Sequence, residues 1–194
     1  MEVLFNQNEQ KLVKLCKKGD AKAQYKLYKL YCKGMYNIAM RMINNTSMAE
    51  DILQDAFIKA FSEIHKLKNE EAFGGWLKRI VINRCIDISR KETLVFADME
   101  RLGNQHNEIS DEVESSVDPE LIHNFIKKLP EGARQILVLR ALEGFKHAEI
   151  AEKLKITEST AKTQFFRAKQ LLVKMIQENE RGHRKISERE PVKA

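Results

Sequence analysis

The stretch EGFKHAEIAEKLKITESTAKTQFFRAK, residues 143–169, decides the fold. A helix over 147–154 places Ile150, Ala151 and Leu154 on one face. The turn Lys155-Ile156-Thr157 follows, and Thr157 is placed to cap a second helix. On that helix Ala161, Phe165, Ala168 and Leu172 recur at helical spacing and face inward. Lys162, Thr163, Phe166, Arg167 and Gln170 face outward. A small residue at the crossing, a capped second helix and a basic, hydrogen-bonding outer face are what a helix-turn-helix needs to enter a DNA major groove. A plain helical hairpin with a solvated basic face is the alternative. The coincidence of all three features favours DNA.

Working outward, the rest of the chain has the same helical grammar. The 194 residues include 8 Gly and only 3 Pro, which favours an all-α protein. Lys and Arg number 34 against 28 Asp and Glu, a net charge of +6 that points weakly to a polyanionic partner. The three cysteines, Cys16, Cys32 and Cys85, are odd in number and form no CxxC, so neither a disulfide framework nor a zinc site is indicated. No apolar run is long enough to span a bilayer and no signal-peptide layout opens the chain, so a cytoplasmic protein is expected.

Charge divides the chain. Residues 1–94 carry 17 basic and 11 acidic side chains, residues 95–118 carry 1 and 7, and residues 119–176 carry 11 and 6. Two small basic helical domains, 1–94 and 119–176, therefore flank an acidic linker, 95–118. The charged, aperiodic segment 177–194 is expected to be disordered. The first domain has four helical patterns: 9–17, one from Asp20 to about 44, 48–65 opened by a Ser47–Glu50 capping box, and 70–91. Their inward residues are Leu12, Val13, Leu15 and Cys16; Ala23, Leu27, Leu30, Tyr31, Ile38 and Met42; Ile52, Ala56, Phe57, Ala60, Phe61 and Ile64; and Phe73, Leu77, Ile80, Val81 and Ile88. The second domain opens at Asp118-Pro119, with Ile122, Phe125 and Leu129 inward until Pro130 ends that helix. A further helix, 131–143, stops at Gly144.

Two surfaces do more than fold. Asp51, Gln54, Asp55 and Ile58 lie side by side at i, i+3, i+4 and i+7 on the face opposite the core, as a protein-docking face would. Without a histidine, a nucleophile or a Gly-rich phosphate loop beside them, the two carboxylates are not a catalytic pair. On the helix 70–91 a second stripe runs Trp76, Arg79, Asn83, Arg90. It joins an aromatic, guanidinium groups and an amide, which suit stacking on unpaired bases, gripping phosphates and reading base edges. The stretch LKNEEAFGG, 67–75, can form a loop in which Gly74-Gly75 permits close approach. A core tryptophan with surface arginines is the equal alternative from this pattern alone. No metal or cofactor pattern occurs.

The segments AEDILQDAFIKAF (49–61), FGGWLKRIVINRCIDISRK (73–91) and LPEGARQILVLRALEGFKHAEIAEKLKITESTAKTQFFRAKQLL (129–172), in this order, resemble a bacterial RNA polymerase sigma factor of the extracytoplasmic-function (ECF) group. The resemblance spans about residues 10–176. It implies a sigma-two-like domain at 1–94, whose Asp51, Gln54, Asp55 and Ile58 dock on core RNA polymerase. It implies that Lys68, Asn69, Trp76, Arg79, Asn83 and Arg90 open and read the minus-ten element. It also implies a sigma-four-like domain at 119–176, with Thr160, Lys162, Thr163, Phe166 and Arg167 on the minus-thirty-five element. Anti-sigma partners are common in the family, and no residue of this sequence marks one. Lys155 stands where such turns often carry glycine, and a left-handed lysine costs about 1 kcal/mol. The competing function is an autonomous helix-turn-helix regulator that binds operator DNA as a dimer, which leaves the first domain without a task.

Overall fold

Short polar caps punctuate the first helices. The computed structural model describes residues 2–92 and 119–187. Asp20 takes an extended backbone and accepts the Ala23 N–H at 2.9 Å, which separates α1 (Glu2–Lys17) from α2 (Ala21–Ile43). Asn44 then turns left-handed, with φ 58° and ψ 32°, and its N–H returns to the Met40 carbonyl at 2.9 Å. Its neighbour Asn45 is extended and accepts the Met48 N–H at 3.1 Å. One asparagine ends α2 and the next begins α3 (Thr46–Glu63). The expected capping box at Ser47 is thereby corrected. Asparagine tolerates both conformations, so the cap falls earlier than the Ser-x-x-Glu pattern suggests.

The chain divides into two compact units, Met1–Thr93 and Leu94–Ala194. Every described element is a helix or a helical turn, as expected of an all-α chain. In the first unit α2 packs on α1, α3 and α4 (Phe73–Glu92), and α3 packs on α4. Phe73, Leu77, Val81, Ile82 and Cys85 of α4 are fully buried, as are Leu27, Met42 and Ile52 of the helices it packs on. Fully burying a side chain such as Phe73 stabilises by about 2–3 kcal/mol. Ile80 and Ile88, expected inward, are half-exposed, and Leu15 and Leu30 are exposed at 42% and 39%. Apolar residues occupy neighbouring faces of these helices, and the packing partners choose between them. Cys16 and Cys85 are free thiols that burial pushes up to about 11 and about 12, which keeps them inert.

In the second unit α5 (Pro119–Lys128) and α6 (Glu131–Leu137) are joined at Pro130. Arg134 is buried and donates to the Leu129 carbonyl at 3.0 Å, satisfying the end of α5. The helix expected over 131–143 is not uniform. After Leu137 it widens into a π turn, Val138–Leu142, and four successive apolar residues from Ile136 to Leu139 are buried. Gly144, at φ 78°, stops it. Helices α7 (His147–Leu154) and α8 (Glu158–Ser187) follow, and α5, α6 and α7 all pack on α8.

Two more expectations change. Helix α1 begins at Glu2, ahead of residue 9. The segment expected to be disordered from 177 is helical as far as Ser187, helped by the Lys174–Glu178 pair at 3.9 Å and the absence of proline between Pro130 and Pro191. The acidic linker at 95–118 and the end of the tail, 188–194, lie outside the described residues.

Gly74 and Gly75 belong to the first turn of α4, not to the loop expected there. A Cβ built on Gly74 would lie 2.8 Å from Cε1 and Oη of Tyr31, whereas one on Gly75 meets nothing within 4 Å. Gly74→Ala should therefore destabilise the first unit by about 1–3 kcal/mol. Gly75→Ala should stabilise it by about 0.5–1 kcal/mol. Thermal unfolding of the two variants by circular dichroism checks the contrast; equal melting temperatures would contradict it.

Candidate nucleic-acid interface

In the second unit the geometry of the turn sets the pitch of α8 against α7. Lys155 adopts φ 56° and ψ 42°, and its N–H reaches Glu152 O at 3.3 Å while Ile156 N–H reaches Ala151 O at 3.0 Å. This is a Schellman closure with lysine in the left-handed position. Thr157 Oγ1 then accepts the Thr160 N–H at 3.0 Å and caps α8. Ala151 of α7 and Ala161 of α8 are buried, the two helices pack together, and Phe165 meets the His147 ring edge-on at 5.4 Å. At the start of α7, Glu149 accepts the Lys146 N–H at 2.7 Å.

The outer face of α8 is partly engaged already. Lys162 is exposed and pairs with Glu158 at 2.8 Å, and this hydrogen bond holds the Glu158 carboxyl below its usual range. The Thr160 hydroxyl shares a hydrogen bond of 2.8 Å with that of Thr157. Thr160, Thr163, Phe166 and Arg167 are half-buried.

In the first unit the second candidate surface begins with two 3₁₀ turns, Ile64–Lys66 and Glu70–Ala72. Lys68 and Asn69 are exposed between them, and the Asn69 side chain accepts the Glu71 N–H at 3.0 Å. Trp76 is half-buried. Its ring tilts by 55° against Phe73 at 6.1 Å, which fixes the indole while leaving part of it open. Arg79 and Asn83 are exposed further along α4. The backbone of Arg90 belongs to α4, and its side chain lies outside the described residues.

The third surface is the outer face of α3, where Asp51, Gln54, Asp55 and Ile58 are all exposed, Ile58 at 68%. A shallow groove of about 360 Å³ is lined by Met48, Asp51, Gln54, Asp55, Arg84 and Ile88. Arg84 binds Asp55 Oδ2 through Nη2 at 2.6 Å and Nε at 3.1 Å. Sequence spacing alone does not reveal Arg84, because the pairing depends on how α4 lies along α3. A second groove, about 280 Å³, runs from Asp55 past Lys59 and Ile80 to Asn83. It joins the edges of the α3 and α4 surfaces.

These surfaces coincide with known regions. The family model for sigma-70 region 2 matches residues 27–94, and that for sigma-70, region 4, matches residues 120–172. The chain belongs to the sigma-70 family. The ECF RNA polymerase sigma factor SigW of Bacillus subtilis is 33% identical over 180 residues, covering 87% of this chain and 96% of that protein. The RNA polymerase sigma-H factor of Pseudomonas aeruginosa is 27% identical over 192 residues, covering 90% and 97%. The likeness to SigW places this sigma factor in the ECF group. The solved structure of CnrH, in complex with the cytosolic domain of CnrY, shares the fold with a TM-score of 0.50 at 19% identity, covering 87% of this chain and 97% of that one. So does RpoE from Bartonella quintana, solved with the anti-sigma factor NepR, with a TM-score of 0.50 at 20% identity, covering 79% and 96%. Region 2 of this sigma factor holds the surfaces on α3 and α4, and region 4 holds the helix-turn-helix. Helix α1 precedes the region 2 match.

The left-handed lysine gives a direct test of the turn. Lys155→Gly should raise the stability of the second unit by about 1 kcal/mol, because glycine adopts positive φ without the Cβ clash. Denaturant unfolding followed by helicity measures it. An unchanged or lowered midpoint would mean that the turn is not held left-handed in solution.

Proposed function

We propose that this sigma factor docks on core RNA polymerase through the outer face of α3 and gives the enzyme promoter specificity. Region 2 takes the minus-ten element as single strand, and region 4 takes the minus-thirty-five element as duplex. The observation that carries the reading is the presence of region 2 and region 4 matches in one chain, in that order. The chain supplies recognition, and the polymerase supplies the phosphodiester chemistry. Its working place is the cytoplasm, where promoter DNA is. Among the described residues no helix is long and apolar enough to cross a membrane. An anti-sigma factor is a further partner class, as NepR is for RpoE of Bartonella quintana.

The physical division of labour follows from the side chains. On α8, Lys162 and Arg167 approach phosphates or guanine edges, and Thr163 and Phe166 meet bases in the major groove. Thr160 sits at the helix start, close to the backbone of the duplex. On α4, Trp76 offers an anchored aromatic face to a splayed base, while Arg79 and Asn83 follow the strand. Lys68 and Asn69 approach it from the preceding loop. On α3, two carboxylates and an amide surround a partly apolar groove, with Ile58 beside them, which suits a basic and apolar polymerase surface.

Reversing charge with Asp51→Lys and Asp55→Lys together should weaken association with core polymerase by at least about tenfold. The exposed Asp55–Arg84 pair that is lost contributes only about 0–1 kcal/mol, so helicity should be unchanged. A titration of labelled core measures the affinity, and wild-type association by a folded double variant would remove α3 from the interface.

Trp76→Ala should impair promoter opening more than closed-complex binding, because stacking of about 1–3 kcal/mol per base is available only after the strands part. Permanganate reactivity of thymines in the bubble reports opening. Reactivity equal to wild type, with the fold intact, would return Trp76 to a purely structural role.

A further inference from the structure

The loop that leads into α4 is gripped from one side by α1. Lys17 Nζ donates to the Leu67 carbonyl at 2.7 Å and to Glu70 Oε1 at 2.7 Å. Two helical turns earlier on the same face of α1, Gln10 Nε2 donates to Glu71 Oε1 at 2.7 Å. The Lys17 and Glu70 side chains are only 24% and 23% exposed, so solvent screens their contact incompletely. The Lys17 hydrogen bond holds the Glu70 carboxyl below its usual range. Lys17 therefore ties down the residues on both sides of Lys68 and Asn69, the two exposed polar residues of the loop.

The same helix also fixes the start of α4. One residue before Gln10, Glu9 is buried and accepts the Tyr31 hydroxyl, and the Tyr31 ring meets Phe73 at 5.5 Å and crowds Gly74. Three side chains of α1 thus set the path of the chain from Leu67 into the turn that carries Trp76. None of the three lies within the region 2 match, which begins at residue 27.

We propose that Lys17 and Gln10 are positioning residues for promoter recognition, holding the 67–71 loop in the conformation that receives the unpaired minus-ten strand. The inference rests on the reading of that loop as a single-strand reader. A loop released from α1 samples many conformations, so it contributes less selectively to each base while the rest of region 2 still docks and still opens DNA.

The test uses holoenzyme assembled from the full chain and core polymerase, transcribing a promoter library randomised through the minus-ten element. Lys17→Met removes both Lys17 hydrogen bonds and should lower discrimination at the bases nearest the loop by at least about tenfold. Gln10→Leu removes an exposed contact, leaves the fold intact and should lower it in the same direction. Lys17→Arg, which keeps the donors, should restore it, and discrimination at the minus-thirty-five element should not change in any of these. Wild-type minus-ten discrimination in both Lys17→Met and Gln10→Leu would overturn the proposal. So would an equal loss of transcription from every library member, the mark of a merely structural role. A wild-type holoenzyme with no minus-ten discrimination at all would instead overturn the reading of the loop itself.

Discussion

The Tyr31 hydroxyl donates a hydrogen bond to Glu9, a carboxylate 9% exposed, and the Tyr31 ring lies against Phe73 and Gly74. A carboxylate so far from water needs a donor, and burial together with the Glu9 hydrogen bond pushes the phenol well above its ordinary range, so Tyr31 stays protonated and remains that donor. The contact joins α1, α2 and α4 at one point. Removing any of the three partners leaves a buried polar group unmatched or a gap beside Phe73. The loop before α4, the tilt of Trp76 against Phe73 and the exposed line of Arg79 and Asn83 all follow from where this junction holds the start of α4.

The proposed binding faces share a second property: each carries or adjoins a charge already matched inside the chain. Asp55 is held by Arg84, Lys162 by Glu158, and Glu70 by Lys17. The first two pairs are exposed and screened by solvent, so they contribute little and a partner displaces them at small cost. The third is more shielded and lies beside the surface rather than on it. Exposed pairs are suited to exchange with polymerase or phosphate; the shielded one is suited to hold shape.

Much of this is legible in the sequence, and the remainder has physical reasons. The helix-turn-helix declares itself through Ala151, the Thr157 cap and the spacing of Ala161 and Ala168, all local features. The left-handed Lys155 is legible as a conflict between residue type and turn, and the chain keeps the turn. The inner face of α4 is ambiguous because Ile80, Val81 and Ile82 are consecutive, so periodicity cannot choose between faces; α2 and α3 do, burying Val81 and Ile82 and leaving Ile80 half-exposed. Asn45 is masked as a cap by the Ser-x-x-Glu pattern that stands beside it. On the candidate surfaces, exposure of Asp51, Gln54, Asp55 and Ile58 follows from helical spacing. The roles of Arg84, Lys17 and Gln10 are invisible, since their partners lie 29, 53 and 61 residues away and meet them only after folding.

The central claim is that selectivity for DNA resides in a two-part subunit completed by polymerase. Its most direct measurement is binding to a promoter and to an inverted-repeat operator library, titrated with the free chain and with the chain plus core polymerase. The account predicts selective binding and strand opening at promoters only with core present, and weak, salt-sensitive, unselective binding by the chain alone. Tight, selective binding of the free chain to an inverted repeat as a dimer, unaffected by core polymerase, would contradict it.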